Sequence, residues 1–146
     1  MARNRLQLLA EGLDNIRWLP LQPIERLNEL LNLADIHLLP QSADVADLVM
    51  PSKLSGMLAS GRPIIATAES GTQVAMVVAN AGFVVLPGDI AAFVNAIKKL
   101  AEDLPLRNRL GCAGRAWIER EWGKERVLKA FEDELQQLVD HLEINE

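Results

Sequence analysis

The sequence predicts an α/β fold with a mostly parallel sheet, flanking helices and a helical C-terminus. Short apolar segments alternate with helical patterns between residues 15 and 86. Pro and Gly mark most of the joints between them. From residue 89 onward the apolar spacing is helical throughout.

Residues 3 to 11 read as a short helix with Leu6, Leu9 and Leu13 on one side and Gly12 as a left-handed cap. Asn15 to Leu19 reads as a strand ending at Pro20. Pro23 opens a helix whose Ile24, Leu27, Leu30 and Leu31 share a face, with Glu25 in the favourable first turn. Ile36 to Leu39 is the next strand, stopped by Pro40, and residues 41 to 50 form a polar loop. A helix follows from about Ser52 to Ser60 and ends at Gly61, with Pro63 preventing continuation.

Pro63 to Thr67 is a continuous apolar run, the pattern of a strand buried on both faces. Thr72 starts a helix to about Asn80, and Phe83 to Leu86 is a strand closed by Pro87-Gly88. Asp89 caps a helix through Leu100. Leu106, Leu110, Ala113 and Trp117 define the next helix. Val127, Phe131, Leu135, Leu138 and Leu142 form one stripe of a last helix, expected to pack on the sheet before docking any partner.

At 146 residues the chain has room for one core. Its net charge of -5, few aromatic residues and lack of Tyr argue against a nucleic-acid surface. The lone Cys112 makes no intrachain disulfide, fits a reducing compartment and reads as a small packing residue. No apolar run is long enough to span a membrane, and no signal-peptide core follows the basic start, so a cytoplasmic domain is expected. His37 reads as a partly buried strand residue. Trp18, Trp117 and Trp122 read as core or domain-contact residues.

Right-handed crossovers bring the loops after residues 19, 40, 67 and 86 to one edge of the sheet, where ligands of such folds bind. There the helix at Ser52 offers unpaired amides to an anion. Ser52 is expected to cap it, the amides of Lys53, Leu54 and Ser55 to face the crevice, Lys53 to add charge and Ser55 a hydroxyl. Gly56 permits close approach of a ligand or of neighbouring backbone. An ordinary αβ unit with a solvated Lys53 is the alternative. The Glu69-Ser-Gly71-Thr72-Gln73 turn is a second, weaker candidate. Asp44 and Asp47 are read as solvated loop carboxylates in preference to sugar or metal ligands. No Ser or Cys motif pairs with His37 or His141 for nucleophilic catalysis.

Three blocks carry a family resemblance: residues 15–23 (NIRWLPLQP), 33–40 (LADIHLLP) and 50–66 (MPSKLSGMLASGRPIIA). In this order they resemble the C-terminal half of a family-4 glycosyltransferase, most closely bacterial transferases of colanic acid, capsule or O-antigen synthesis, including N-acetylfucosamine-type ones. The resemblance implies the GT-B fold of two Rossmann-like domains, with this half binding a UDP- or GDP-type nucleotide-sugar. It implies that Ser52, Lys53, Leu54 and Ser55 line the diphosphate site. It also places Leu19 and Pro20 at the nucleobase border, and Gly71, Thr72 and Gln73 near the donor sugar or phosphates. Transfer would retain anomeric configuration, without metal or other cofactor.

The family's two glutamates, seven residues apart, fall here at Leu48 and Gly56, with Asp47 a substitute for the first. The whole chain, residues 1–146, is therefore expected to be a partial donor-binding domain. It lacks the acceptor domain, which would bind a saccharide or lipid-linked acceptor, and the first two strands. A rearranged sheet, or completion by another chain through the truncated edge, follows as an expectation. So does a cytoplasmic protein, peripheral to the inner membrane in its full-length form. Two other classes stay open: a nucleotide- or phosphate-binding module without a reaction, and an interaction domain using its last helix.

Overall fold

A computed structural model describes residues 2–41 and 50–143. Its elements are α1 (Ala2–Leu9), a 3-10 turn (Ile24–Arg26) running into α2 (Leu27–Asn32), β1 (His37–Leu39), α3 (Ser52–Ala59) and β2 (Ile64–Thr67). Then come α4 (Gln73–Val78), β3 (Gly82–Val85), α5 (Ile90–Glu102), α6 (Leu104–Glu121) and α7 (Lys124–Glu143). The strands form one parallel sheet in the order β1-β2-β3, with His37 opposite Ile64 and Ile64 opposite Gly82. The fold class is the one the alternating pattern predicts.

The centre of the sheet is β2, where Ile64, Ile65 and Ala66 are fully buried. Successive side chains point to opposite faces. Ile64 and Ala66 join Leu54 and Leu58 of α3, Val74 and Val78 of α4, and Ile118 of α6. Ile65 joins Val85 and Leu100, with Phe93, Ile97, Leu106 and Leu110 packed around them. Both faces of the sheet are therefore covered, as a parallel sheet requires.

Helix α6 reaches this core because it has no side chain at two contact points. A methyl at Gly111 would collide with the Gly61 carbonyl, and one at Gly114 would lie 2.8 Å from the Ala81 methyl. Beyond α6 the edge-to-face pair of Trp117 and Trp122, with centroids 5.1 Å apart, marks the turn into α7.

Several sequence expectations need correction. Residues 15–19 are not a strand: they are irregular and exposed. A short extended segment without a laddered neighbour leaves its amides and carbonyls to water. The sheet is not rearranged; its strands follow sequence order. Helix α7 does not pack on the sheet, since Val127, Phe131, Leu135 and Leu138 stay exposed. Cys112 is exposed, because Gly111 beside it takes the packed position on α6. Trp18 also lies outside the core. The expectations for Asp44, Asp47 and Leu48 fall outside the described residues.

His37 is buried as the sequence indicates, and its Nε2 lies 2.9 Å from Ser60 Oγ. The Ser60 hydroxyl donates to the Met57 carbonyl at 2.6 Å, so Nε2 is the donor of the pair. Burial, and secondarily the Arg62 charge, hold the His37 pKa below its ordinary value.

Two predictions follow from this packing. Gly111→Ala is expected to destabilise the chain by about 3 kcal/mol or more, because backbone and not a flexible side chain blocks the methyl. A denaturation midpoint within error of wild type would refute that close contact. For His37 the unfolded state binds the proton more readily than the folded state. Its contribution to stability is therefore present above the ordinary histidine pKa of about 6.5 and declines as pH falls towards the depressed folded value. Denaturant titrations at pH 7.5 and 5.5, in roughly matched salt, should show a smaller pH effect in His37→Asn. Equal pH slopes in the two proteins would contradict the assignment.

Candidate functional site

In a parallel αβα arrangement, each helix that follows a strand begins at the carboxyl edge of the sheet. The N-termini of α3, α4 and α5 therefore share that edge. Their ends differ in chemistry. Thr72 caps α4, accepting from the Ala75 amide at 3.2 Å while its hydroxyl donates to the Glu69 carbonyl at 2.9 Å. Asp89 caps α5, accepting from the Ala92 amide at 2.8 Å. Its carboxylate already occupies the position an anion would take.

Among the described residues, helix α3 alone of the three has no side-chain cap, since the residue at its N-cap makes no side-chain capping bond. Pro51 holds the N-cap position in extended backbone (φ -62°, ψ 121°) and offers no acceptor group. The first helical residues, Ser52 and Lys53, are exposed. The positive end of the helix dipole thus opens to solvent beside a lysine.

The four residues predicted to line this end divide into two pairs. Ser52 is not the cap, because it lies inside the helix. Ser52 and Lys53 are available at the surface. Leu54 is fully buried in the core, and its amide donates to the Pro51 carbonyl at 2.9 Å. The Ser55 hydroxyl donates back to the Ser52 carbonyl at 2.9 Å. The Leu54 amide and the Ser55 hydroxyl are therefore engaged within the first turn. Gly56 serves packing, with Leu31 of α2 placed where a glycine Cβ would sit 3.2 Å away. A side chain there would require the end of the Leu31 side chain to shift by a few tenths of an ångström.

The second predicted turn keeps Gly71 at φ +86°, a left-handed conformation that favours glycine. Gly71 and Gln73 are exposed, whereas Thr72 is buried by its capping role. Leu19 and Pro20 are exposed. Leu19 lines a groove of about 420 Å³ with Gln22, Arg26, Glu29, Leu30 and Leu33. Arg26 Nε binds Glu29 Oε2 across it at 3.0 Å.

The sequence reading missed Gln22 and Arg26 in that groove, although the Arg26/Glu29 spacing is an ordinary helical pair signal. It also missed Thr67. The Thr67 Oγ1 accepts from the Gln41 amide at 2.6 Å and donates to the Gln41 carbonyl at 2.7 Å, tying the ends of β1 and β2 together. A small cleft of about 170 Å³ lies beside it, lined by Pro40, Gly88, Asp89, Ile90 and Phe93. Among the described residues no group of three or more His, Cys, Asp or Glu could hold a metal ion. Among them, too, no helix is long and apolar enough to cross a membrane.

A Rossmann-like parallel sheet flanked by helices defines a class of α/β proteins that bind ligands at the carboxyl edge of the sheet. The chain belongs to the glycosyl transferases of group 1, whose family model matches residues 2–117. It is 36% identical over 132 residues to the "Putative colanic acid biosynthesis glycosyl transferase WcaI" of Escherichia coli (strain K12), a match covering 87% of this chain. The match covers 31% of that relative, so the chain spans about a third of its length. The fold is shared with the solved sucrose-phosphate synthase (tll1590) of Thermosynechococcus elongatus. That likeness has a TM-score of 0.80 at 22% identity, over 96% of this chain and 35% of the other.

Proposed function

We propose that residues 1–146 are the donor-binding part of a retaining glycosyltransferase with a GT-B architecture. The parent protein would move a sugar from a UDP- or GDP-type nucleotide-sugar to a saccharide or lipid-linked acceptor in bacterial surface polysaccharide synthesis. The uncapped N-terminus of α3 beside Lys53 carries this reading. Membership of the group 1 family and the name of the colanic acid relative support it.

In this reading the diphosphate of the donor takes the place that a capping side chain leaves open. The amides of Ser52 and Lys53 and the ammonium of Lys53 face its oxygens. The dipole contributes about 0.3–1 kcal/mol, and up to about 2 kcal/mol where the site is partly buried. The same groups stabilise the negative charge that develops on the diphosphate as the sugar departs. Gly71, Thr72 and Gln73 border the sugar and phosphates, with Thr72 acting through the turn it caps. Asp47 stands beside the sugar, and the groove beside Leu19 and Pro20 receives the nucleobase.

The isolated chain is inactive in this reading, because transfer needs both substrates held in one cleft. The acceptor domain belongs to the rest of the parent, a cytoplasmic protein peripheral to the inner membrane. The outer edge of β1 is where further strands join the sheet, from the parent or from a second copy. His37 donates its amide to Pro63 at 2.9 Å, so the next amide, that of Leu38, points to the open side.

Calorimetric titration of the complete parent with UDP and with GDP tests the donor site. One of the two should bind, and Lys53→Ala should weaken it by about tenfold, the loss of one charge-assisted hydrogen bond. Binding of neither nucleotide, or an unchanged affinity in the variant, would remove the diphosphate from this helix end.

A further inference from the structure

Two threonine hydroxyls order the carboxyl edge of the sheet, and one of them acts past the end of the strand pairing. The ladder between β1 and β2 runs out at Leu39 opposite Ala66. Beyond it, the backbone of Gln41 meets the side chain of Thr67. Thr67 Oγ1 accepts from the Gln41 amide at 2.6 Å and donates to the Gln41 carbonyl at 2.7 Å. A single hydroxyl thus serves both backbone groups of one residue.

Packing does not account for that hydroxyl. Thr67 follows Ile65 on the α5 face of the sheet, beside the cleft lined by Pro40, Ile90 and Phe93. A valine has the same shape and suits a strand as well. Nor does the sheet depend on the clamp, since backbone pairing already joins β2 to β1 and to β3.

What the clamp adds is a fixed root for the turn that leaves β2. Thr67 holds that root from the β1 side. The Ala68 amide holds it from the β3 side, donating to the Val85 carbonyl at 3.0 Å. The next carbonyl, that of Glu69, accepts from the Thr72 hydroxyl at 2.9 Å. This frame carries the exposed Gly71 and Gln73.

We propose that Thr67 is a positioning residue of the donor site, fixing the Glu69–Gln73 turn against the end of β1 through its clamp on Gln41. This role rests on the reading of that turn as the border of the donor sugar and phosphates. Thr67 touches no ligand and acts through Gly71 and Gln73. A turn already set when the nucleotide arrives loses less freedom on binding, so the clamp contributes to affinity.

Thr67→Val removes the hydroxyl and keeps the shape, whereas Thr67→Ser keeps the hydroxyl. Amide relaxation of the free 146-residue chain tests the positioning. In Thr67→Val the heteronuclear NOE of Gly71 and Gln73 should fall while that of Ser52 and Lys53 holds. Thr67→Ser should restore the wild-type pattern. Calorimetric titration of the complete parent with UDP and with GDP tests the consequence. The nucleotide that binds wild type should bind Thr67→Val about three- to tenfold more weakly, and Thr67→Ser within about twofold of wild type. A Thr67→Val chain that fails to fold, or that loses order equally at Ser52 and Lys53, would make the clamp a general support of the fold and overturn the proposal. So would a Thr67→Ser variant as impaired as Thr67→Val. Unchanged affinity in Thr67→Val would overturn it too, and the donor-site reading would survive if Lys53→Ala still weakened binding. Binding of neither nucleotide to wild type would overturn both.

Discussion

Everything in this chain hangs on β2, the one strand with a hydrogen-bonded neighbour on each side. Its Ile64 and Ala66 close one core, and its Ile65 closes the other. The helices that face the candidate site take their position from it. Leu54 and Leu58 anchor α3 against Ile64, which fixes where the first turn of α3 ends up. The bare surface of α6 at Gly111 and Gly114 lets a third layer come within backbone distance of that same unit. The candidate site is therefore placed by the burial of Leu54 and Leu58 on the same helix, not by its own polar contacts.

The molecule outside this centre is unusually open. Its accessible surface is 11036 Å². A compact protein of its 16.1 kDa would expose about 7,400 Å². The difference lies in particular places: α1, the segment around Leu19 and Leu21, and the whole apolar stripe of α7. The β1 edge, one-sided where β2 is two-sided, belongs to the same pattern. The packed centre and these exposed faces occupy different parts of the chain.

The sequence disclosed what depends on local chemistry. The run Ile64-Ile65-Ala66, flanked by Pro63 and by the Gly61 stop, could only be a buried strand. Asp89 caps the helix it was expected to cap, and Thr72 stands at the helix start where the sequence placed it. What the sequence could not disclose depends on partners. Residues 15–19 have the composition of a strand, yet a strand exists only beside a neighbour to ladder with. The stripe of α7 was legible, but not which surface covers it. At the candidate site the motif located the helix start correctly. It could not separate Lys53, which faces solvent, from Leu54, which the core claims. Nor could it show that Gly56 lies against the Leu31 side chain. Thr67 gave no signal, because its two bonds to Gln41 arise only when β1 and β2 lie side by side.

In the proposed reading, the lack of a capping side chain at Pro51 is the feature that ties fold to function in this member of the group 1 glycosyl transferases. Backbone amide shifts of the chain, followed by heteronuclear NMR during titration with UDP and GDP, would read that helix end most directly. The largest changes should fall on Ser52 and Lys53, with smaller ones at Gly71 and Gln73. The amide of Leu54, already bonded to Pro51, should move less, and α7 should be unaffected. Shifts confined to α5, α6 or α7, or none at Ser52 and Lys53 at saturating nucleotide, would contradict the donor-diphosphate assignment.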